Sequence, residues 1–333
     1  MRVGAIDCGT NSIRLLVADV ASDSGDRGDR GDTGDRVAGP LREVVRRMEV
    51  VRLGEGLDAT GEIAPAALAR TLAMSAEYAR QCDELGVERV RFVATSASRD
   101  ARNAVDFVAG VRAAFAPRDV APEVVSGREE AQLSFDGSTG GLAADGLPGP
   151  YLVVDLGGGS TEFVRGDLGR VEAAVSMNIG CVRFHERHRL GDPPTPAQLA
   201  AATREIDAAL DEAESAVGFA QVNALVGLAG TVTTVAAHAL GLPAYDRDAI
   251  HASRLPVERV LAACDDLVAR TREQRAALGF MHPGRVDVIG AGALIWGQVV
   301  RRVAARSGIA EVVTSEHDIL DGIALSIGAG RRD

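Results

Sequence analysis

Residues 153–162 of this chain read VVDLGGGSTE, and a similar stretch, AIDCGTNSIR, stands at residues 5–14. Each stretch places an apolar strand before an aspartate and then resumes an apolar strand after a turn of small residues. The shared positions are Asp7, Gly9 and Ser12 in the first stretch and Asp155, Gly157 and Ser160 in the second, 148 residues later. Strand, small-residue turn and strand together predict a β-hairpin in each half of the chain.

The tips of these two hairpins are candidate anion sites. Backbone N–H groups that converge in a turn form a concave site for anions, and glycine lets a ligand approach the backbone closely. The alternative is that the glycines only permit a tight turn. Three consecutive glycines, residues 157–159, weaken a strand end unless something approaches closely. The pair of hairpins therefore predicts two related lobes that hold one phosphate-rich ligand between them.

The composition limits the chemistry. The chain has 333 residues, enough for two domains, and a hydrophobic fraction of 46%, which is ordinary for a globular protein. All 36 basic residues are arginine, and the sequence has no lysine. A P-loop lysine and a Schiff base are therefore excluded, whatever the reason for the absence of lysine. A cation that binds phosphate must then be arginine or a metal ion. The net charge of −11 argues against a nucleic-acid partner.

The cysteines and the hydropathy indicate the compartment. The four cysteines lie far apart in the sequence, which argues against a zinc site and a disulfide framework and favours a reducing cytoplasm. No apolar run approaches the length of a membrane span, and no signal-peptide pattern is present. We therefore expect a cytoplasmic protein with no membrane partner.

Strands and helices alternate along the chain, which predicts an α/β protein with mixed sheets. Beyond the two hairpins, strands are expected over residues 44–51, 90–94, 123–125, 224–228 and 311–314. Helices are expected over residues 65–82, 101–115, 128–135, 195–217, 232–240, 256–270 and 285–306, with a last helix from about residue 318. Residues 95–100 are predicted to form a polar turn and residues 136–150 a loop.

A third small-residue turn, AGTVTT at residues 229–234, follows a buried strand and begins a helix. The N–H groups and the dipole of a helix start favour an anion there, which makes Gly230 and Thr231 candidate phosphate ligands. An ordinary strand-to-helix turn capped by threonine remains an alternative.

Residues 22–36, SDSGDRGDRGDTGDR, contain no apolar residue. Such a segment cannot bury surface, so it predicts a mobile loop between two strands that is dispensable for activity. The Arg-Gly-Asp triplets in it would suggest cell adhesion only in a secreted protein, and a slipped repeat in a tolerant loop explains them better.

Six stretches, taken in order, resemble the sequence blocks of the exopolyphosphatase/guanosine pentaphosphate phosphohydrolase (Ppx/GppA) family. They are AIDCGTNSIRLLVADV from residue 5, ATSASRDARN from 94, VVSGREEAQLSF from 124, VVDLGGGSTEFV from 153, GLAGTVTTVAA from 227 and GRVDVIGAGALI from 284. The resemblance implies a two-lobed, duplicated α/β fold like that of actin, hexokinase and the Hsp70 ATPase, of the ribonuclease H-like type. Cys8, Thr10 and Ala229 depart from residues common in the family, and the chain resembles the short, two-domain members.

The resemblance also implies catalytic roles. Glu130 matches the family's catalytic glutamate, which would orient and deprotonate a water for in-line attack. Arg99 matches its substrate-binding arginine. Glu129, one residue away on the same helix, should face elsewhere. The alternative for both glutamates is a solvated helix start, where acidic residues suit the dipole. Arg14 and Arg285 are weaker candidates, since a surface arginine explains each.

Metal and phosphate ligands follow from the same match. Asp155 and Glu162 would hold Mg²⁺, directly or through water, with Mn²⁺ as a possible substitute, and Asp7, the matching acid of the other lobe, would bind metal-linked water. An aspartate at a strand end can also simply cap a turn. The phosphate-binding residues implied are those of the three turns: Gly9, Thr10, Asn11, Ser12, Gly157, Gly158, Gly159, Ser160, Thr161, Gly230 and Thr231.

The activity implied is Mg²⁺-dependent hydrolysis of the terminal phosphate of inorganic polyphosphate. Guanosine pentaphosphate is the alternative substrate. A kinase of the same superfold, a non-catalytic polyphosphate- or alarmone-binding regulator and an actin-like filament protein also remain open. The expected domains are an N-terminal lobe of residues 1–125, completed by a helix at about 318–330, and a C-terminal lobe of residues 126–317. A homodimer is expected.

Overall fold

The computed structural model describes residues 1–21, 41–140, 142, 146–167 and 169–329. The loop predicted at residues 22–36 lies outside these ranges. No helix in the part of the chain that is described is both long and apolar enough to cross a membrane.

Within these ranges the chain alternates strands and helices from end to end. The strands are β1 Arg2–Cys8, β2 Ser12–Val20, β3 Leu41–Val50, β4 Arg89–Ala94, β5 Pro122–Val124, β6 Tyr151–Leu156, β7 Thr161–Asp167, β8 Arg170–Met177, β9 Ala224–Leu228, β10 Ser253–Pro256 and β11 Glu311–Thr314. The helices are α1 Leu57–Thr60, α2 Pro65–Glu84, α3 Ser96–Asp100, α4 Ala104–Ala114, α5 Gly127–Thr139, α6 Cys181–His188, α7 Pro196–Val217, α8 Ala229–Leu240, α9 Arg247–Ile250, α10 Val257–Ala269, α11 Arg272–Ala276, α12 Ile289–Ser307 and α13 Ile319–Gly328.

Two mixed sheets repeat one topology. The first has the strand order β3-β2-β1-β4-β5 and the second β10-β11-β9-β6-β7-β8. In the first sheet β1 pairs antiparallel with β2 and parallel with β4, and in the second β6 pairs antiparallel with β7 and parallel with β9. The duplication predicted from the two Asp-x-Gly stretches is therefore present in the backbone, with β10 as an additional edge strand of the second sheet.

Most predicted elements are present, and several were wrong in their bounds. Helix α8 begins at Ala229, so the predicted third turn is the first turn of this helix. Residues 96–100 form helix α3 rather than a turn, and the next helix begins at Ala104 because Ala101 has an extended backbone. Helix α5 continues to Thr139 into the predicted loop, and the hydroxyl groups of Ser138 and Thr139 donate to carbonyls four residues back. The predicted helix at 285–306 begins only at Ile289, after a 3₁₀ turn opened by Pro283.

Helices α5 and α13 lie where the two sheets meet. Ile319, Ile323 and Ile327 of α13 pack with Leu133 of α5 against buried residues of β1, β2 and β4. Ala131 and Phe135, on another face of α5, pack against β6, β7 and β9. Helix α5 therefore contributes to the cores on both sides, while the last helix packs against the first sheet. The division into domains at residues 125 and 318 remains a prediction.

The crossing of α5 and α13 is close enough to exclude a methyl group. A Cβ on Gly322 would lie 1.9 Å from the carbonyl oxygen of Leu133, and one on Gly137 would lie 2.0 Å from that of Asp318. Neither contact can be relieved by moving a flexible side chain, because both involve backbone atoms. The glycines thus set the distance between the helix that carries Glu130 and the helix that follows Asp318.

We predict that Gly322→Ala lowers the free energy of unfolding by about 1–3 kcal/mol, the usual cost of overpacking. In a helix interior without close contacts, alanine is more stabilising than glycine by roughly 1 kcal/mol. The sign of the change in the free energy of unfolding therefore distinguishes a close crossing from an open one. Gly140→Ala, at the end of α5, is the control because the nearest atom to its Cβ lies 3.9 Å away. Urea denaturation of both variants measures the difference, and equal stabilities would contradict the close crossing.

Candidate active site

The two hairpin tips face each other across one cleft. A Cβ on Gly158 would lie 3.1 Å from Cβ of Thr10 and 3.2 Å from the backbone nitrogen of Asn11. The space between the tips is a cleft that also reaches the first turn of α8. Its walls include these predicted residues: Asp7, Gly9, Thr10, Asn11, Ser12, Glu130, Asp155, Gly157, Gly158, Gly159, Ser160, Gly230 and Thr231.

Both tips close with the same hydrogen bond. The N–H of Gly9 donates to the carbonyl of Ser12 at 3.0 Å, and the N–H of Gly157 donates to the carbonyl of Ser160 at 3.0 Å. These two N–H groups, at matching positions of the repeat, are used within the turn. Any anion in the cleft is therefore left to the remaining N–H groups of each tip.

The carbonyl groups of both tips accept hydrogen bonds from backbone N–H groups of neighbouring segments. In the first tip, the carbonyls of Thr10 and Asn11 accept from the N–H groups of residues 51, 52 and 54. In the second, the carbonyls of residues 157–159 accept from the N–H groups of residues 180–183, at the start of α6. The N–H groups of Thr10, Asn11, Gly158 and Gly159 make no hydrogen bond within the described residues. This arrangement gives two facing sites for anions.

Two buried hydroxyl groups add to these sites. Thr10 Oγ1 and Ser96 Oγ are buried and have no hydrogen-bond partner among the residues that the structure describes. Both approach the triple glycine, since a Cβ on Gly159 would lie 2.6 Å from Thr10 Oγ1 and 2.4 Å from Ser96 Oγ. An unpartnered buried hydroxyl group is costly, and a phosphate oxygen in the cleft is a natural acceptor.

The first turn of α8, which the sequence predicted as a third small-residue turn, combines a strained residue with an arginine. Ala229 has φ +69, a left-handed conformation that costs a residue with a side chain about 1–2 kcal/mol. The Arg285 guanidinium lies against Gly230, within 2.5 Å of where a Cβ would be, and donates to Thr234 Oγ1 at 3.3 Å. Arg285 lines the cleft, so it is not the ordinary surface arginine that the sequence alone would allow.

The residues opposite the two aspartates differ in charge. Asp7 is paired across the hairpin with Arg14, whose Nε and Nη2 donate to Asp7 Oδ2 at 2.9 and 2.7 Å. Asp155, at the matching position of the repeat, is paired with Glu162. The first hairpin thus neutralises its aspartate within the protein, whereas the second places two acids directly opposite each other.

Burial and this pairing shift the pKa values of the acids. Burial, followed by the charge of Asp318, raises the pKa of Asp155 to about 6. Burial, followed by the charge of Asp155, raises the pKa of Glu162 to about 7. Burial and the charge of Glu162 raise the pKa of Glu130 well above its usual range, against the opposing effect of Arg99. The three acids lack a full counter-charge.

Asp318 was not predicted as a site residue. It caps helix α13 and forms an ion pair with Arg14, which therefore lies between Asp7 and Asp318. Burial alone would raise the pKa of Asp318, but Arg14 and Arg46 lower it. The aspartate three residues before Asp321 is a signal for a capped helix start, but no local sequence pattern places Asp318 beside Arg14.

Serine hydroxyl groups hold one oxygen of each acid of the second hairpin. Ser134 Oγ, one turn after Glu130 on α5, donates to Asp155 Oδ2 at 2.6 Å. Ser176 Oγ donates to Glu162 Oε1 at 2.7 Å. Each serine fixes the orientation of its carboxylate.

Glu130 and Glu129 face different surroundings. Glu130 is 8% exposed and lines the cleft, and its Oε2 accepts from Arg99 Nη1 at 3.1 Å. Glu129 Oε1 accepts from Arg91 Nη2 at 2.8 Å, away from the cleft lining. Arg99 Nη1 also donates to the carbonyl of Val125 at 3.1 Å. In this structure Arg99 contacts Glu130 and is not part of the cleft wall.

Thr161 and Glu162 also lie outside the cleft wall. Thr161 is fully buried, and its Oγ1 donates to the carbonyl of Ile179 at 2.8 Å. Its hydroxyl group is therefore used within the fold, and we leave Thr161 out of the phosphate contacts proposed below. Glu162 lies directly opposite Asp155, which does line the cleft.

The acids fit a hard divalent cation bound with substrate. Among the described residues, no group of three acidic, histidine or cysteine side chains converges as a closed metal site. Mg²⁺ is commonly held by one or two carboxylates, with phosphate oxygens and waters as its remaining ligands. Asp155 and Glu162 supply such a pair, and their raised pKa values show a shortage of positive charge that a cation would relieve.

Residues 34–327 match the Ppx/GppA phosphatase family. The chain belongs to this family. Exopolyphosphatase 2 of Mycobacterium tuberculosis is 48% identical to it over 329 residues, which cover 98% of each protein.

Solved structures of the family superpose on this one. A crystal structure of an exopolyphosphatase-like protein has a TM-score of 0.89 and 41% identity, covering 98% of this chain and 97% of that one. The Aquifex aeolicus Ppx/GppA enzyme has a TM-score of 0.76 and 28% identity, covering 98% of this chain and 99% of that one. The likeness to these structures and the repeated sheet topology confirm the predicted α/β fold with a duplicated sheet.

Proposed function

We propose that this protein is a Mg²⁺-dependent exopolyphosphatase that hydrolyses the terminal phosphoanhydride bond of inorganic polyphosphate. The observation that carries the proposal is Glu130, a buried carboxylate in a cleft between two facing sets of unpaired backbone N–H groups. The similarity to a mycobacterial protein named exopolyphosphatase supports the choice of substrate.

The proposed reaction is in-line attack by water on the terminal phosphorus. The N–H groups of Thr10, Asn11, Gly158 and Gly159 bind phosphate oxygens. Glu130 accepts a proton from the attacking water while the water oxygen forms the new bond to phosphorus. The shortened chain leaves with the electrons of the broken P–O bond. The raised pKa of Glu130 makes it a stronger base than an exposed carboxylate. Arg99 fixes Glu130 through the bond to Oε2.

In this proposal Asp155 and Glu162 hold the metal, and Asp7 lies on the opposite tip with Arg14. A bound Mg²⁺ would neutralise charge on the phosphate oxygens, which is the main electrostatic need of phosphoryl transfer. Ser134 and Ser176 keep the two carboxylates in place whether or not the ion is bound. Mn²⁺ would serve as a substitute because it also takes oxygen ligands.

A second cavity favours guanosine pentaphosphate as the alternative substrate. This cavity adjoins the cleft and shares Arg14, Met48, Gly230 and Arg285 with it. Its walls include Tyr245, Phe280 and Met281, an apolar surface that suits a nucleoside better than a phosphate chain. The terminal phosphoanhydride is the same in both substrates, so the cleft chemistry does not change.

Phosphate release from short polyphosphate, long polyphosphate, guanosine pentaphosphate and ATP, assayed in parallel, tests the substrate. We expect polyphosphate to have the highest kcat/KM. Preference for guanosine pentaphosphate by tenfold or more, about 1.4 kcal/mol, would select that nucleotide instead. Release from none of the four substrates, with binding of polyphosphate retained, would indicate the non-catalytic regulator.

Oligomeric state and compartment complete the proposal. We propose a homodimer, which analytical ultracentrifugation would test. The cysteines Cys8, Cys82, Cys181 and Cys264 are free and buried, which supports a reducing compartment such as the cytoplasm.

A further inference from the structure

One guanidinium group links the two sides of the cleft at the tip of the second hairpin. Arg183, on α6, donates from Nε to the carbonyl of Gly159 at 2.8 Å. The same side chain donates from Nη1 to Asp58 Oδ1 at 2.6 Å and from Nη2 to Asp100. Arg183 and Gly159 belong to the second half of the fold, whereas Asp58 on α1 and Asp100 on α3 flank the first sheet.

We propose that Arg183 is a positioning residue that holds the triple-glycine tip and helix α3 in register. The Arg183 bridge, defined as Arg183 with Gly159, Asp58 and Asp100, is remote from the reacting atoms. It acts through residues that are not remote. Gly159 is part of the anion site, and Asp100 follows Arg99, which contacts Glu130.

The contact to Gly159 sets the direction of the tip. The carbonyl of Gly159 accepts from Arg183 Nε and from the N–H of Gly180, so two donors hold it away from the cleft. Because the peptide group is planar, a fixed carbonyl also fixes the N–H of the next residue. Loss of Arg183 would leave one donor on this carbonyl and let the peptide rotate.

The contacts to Asp58 and Asp100 carry the link across the cleft. The Arg183 side chain is 13% exposed, so its three donors are largely shielded from water. The two aspartates are more exposed, at 26% and 35%, and ion pairs of that kind add little to stability. We therefore expect the bridge to affect geometry in the cleft more than the free energy of unfolding.

Arg187 provides a matched control on the same helix. Its Nε donates to Asp58 Oδ2 at 3.2 Å, and it also pairs with Glu205. It makes no contact with Gly159 or Asp100 among the described residues. Arg187→Gln removes one positive charge from α6, as Arg183→Gln does, and removes two hydrogen bonds to Asp58 where Arg183→Gln removes one, but it leaves the tip and α3 untouched.

The test compares Arg183→Gln, Arg183→Lys and Arg187→Gln by steady-state phosphate release from polyphosphate and by amide hydrogen exchange. We expect Arg183→Gln to lower kcat/KM by roughly 10²-fold, the size of effect that a small misplacement of reacting groups produces. Exchange should accelerate in residues 157–160 and 96–100 together. Arg183→Lys should be affected nearly as much, because one ammonium group cannot hold three acceptors arranged for a guanidinium. Arg187→Gln should stay within about threefold of wild type.

The two readouts separate this inference from the proposed function on which it rests. If the wild-type protein releases no phosphate, hydrogen exchange still shows whether Arg183 orders both segments. Equal exchange and equal kcat/KM in Arg183→Gln and Arg187→Gln would overturn the role of Arg183. Faster exchange throughout the chain in Arg183→Gln would also overturn it, by showing a general loss of stability, and thermal unfolding of Arg183→Lys checks this outcome.

Discussion

Glu130→Gln is expected to lower kcat by roughly 10²–10⁴-fold while polyphosphate binding is retained, since the change removes the proposed base and keeps its shape. The variant should fold at least as well as wild type. In the wild-type protein, burial and the charge of Glu162 raise the pKa of Glu130 well above the usual range. The uncharged amide of glutamine removes the repulsion between these two carboxylates. Phosphate release, polyphosphate binding and the melting temperature measure the three quantities.

Glu129→Gln is the control for this experiment. Glu129 is the preceding residue of α5, but its side chain is paired with Arg91 and does not line the cleft. We expect its kcat to stay within about threefold of wild type, a change well under 1.4 kcal/mol. Similar activities in the two variants would remove Glu130 from the mechanism.

The second large effect concerns the acid pair opposite each other on β6 and β7. Asp155→Asn is expected to lower kcat/KM by about 10²-fold or more, because it removes the carboxylate that lines the cleft and is proposed to bind Mg²⁺. Chelation of divalent ions by EDTA should abolish activity of the wild-type protein. Glu172→Gln, on the neighbouring strand β8 and paired with Arg165, changes a carboxylate away from the cleft and should have little effect.

The same pair predicts how stability depends on pH. The pKa values of Asp155 and Glu162 are raised to about 6 and about 7 in the folded protein. Protonation of these groups therefore stabilises the folded, metal-free protein relative to the unfolded chain. That contribution is complete below about pH 4 and is lost as the pH rises through about 6–7. Mg²⁺ should therefore raise the melting temperature at about pH 8 and have little effect near pH 5, where protons occupy the carboxylates.

Thermal unfolding with and without Mg²⁺ measures this dependence. In Asp155→Asn the stabilisation by Mg²⁺ at the higher pH should be absent. A melting temperature of the wild-type protein that does not respond to Mg²⁺, or an equal response in Asp155→Asn, would contradict binding of the ion at this pair.

Local sequence patterns predicted the scaffold of the site. The hairpins at Asp7 and Asp155 depend on short-range turn chemistry, so the glycine and serine spacings revealed both. Their duplication predicted that the tips would face each other. The resemblance to the Ppx/GppA family supplied Glu130, and the structure places this residue in the cleft.

Contacts between distant parts of the chain were not predictable in the same way. Arg14 pairs with Asp318, 304 residues later, and no local pattern indicates such a partner. Arg183 likewise contacts Asp58 and Asp100 across the cleft. The exclusion of Thr161 from the phosphate contacts could have been predicted. Side chains alternate along a strand, so Thr161 must face opposite to Glu162. Helix α3 was taken for a turn because five residues are too few for helical periodicity to show.

The most direct test of the proposed activity compares polyphosphate with free ends and polyphosphate whose ends are both blocked. With Mg²⁺ present, the free chains should lose orthophosphate stepwise, and the blocked chains should release none, because the cleft is proposed to act on the terminal phosphate alone. Glu130→Gln should release almost none from either. Cleavage of blocked chains at the rate of free ones, or undiminished release by Glu130→Gln, would contradict the proposed reaction.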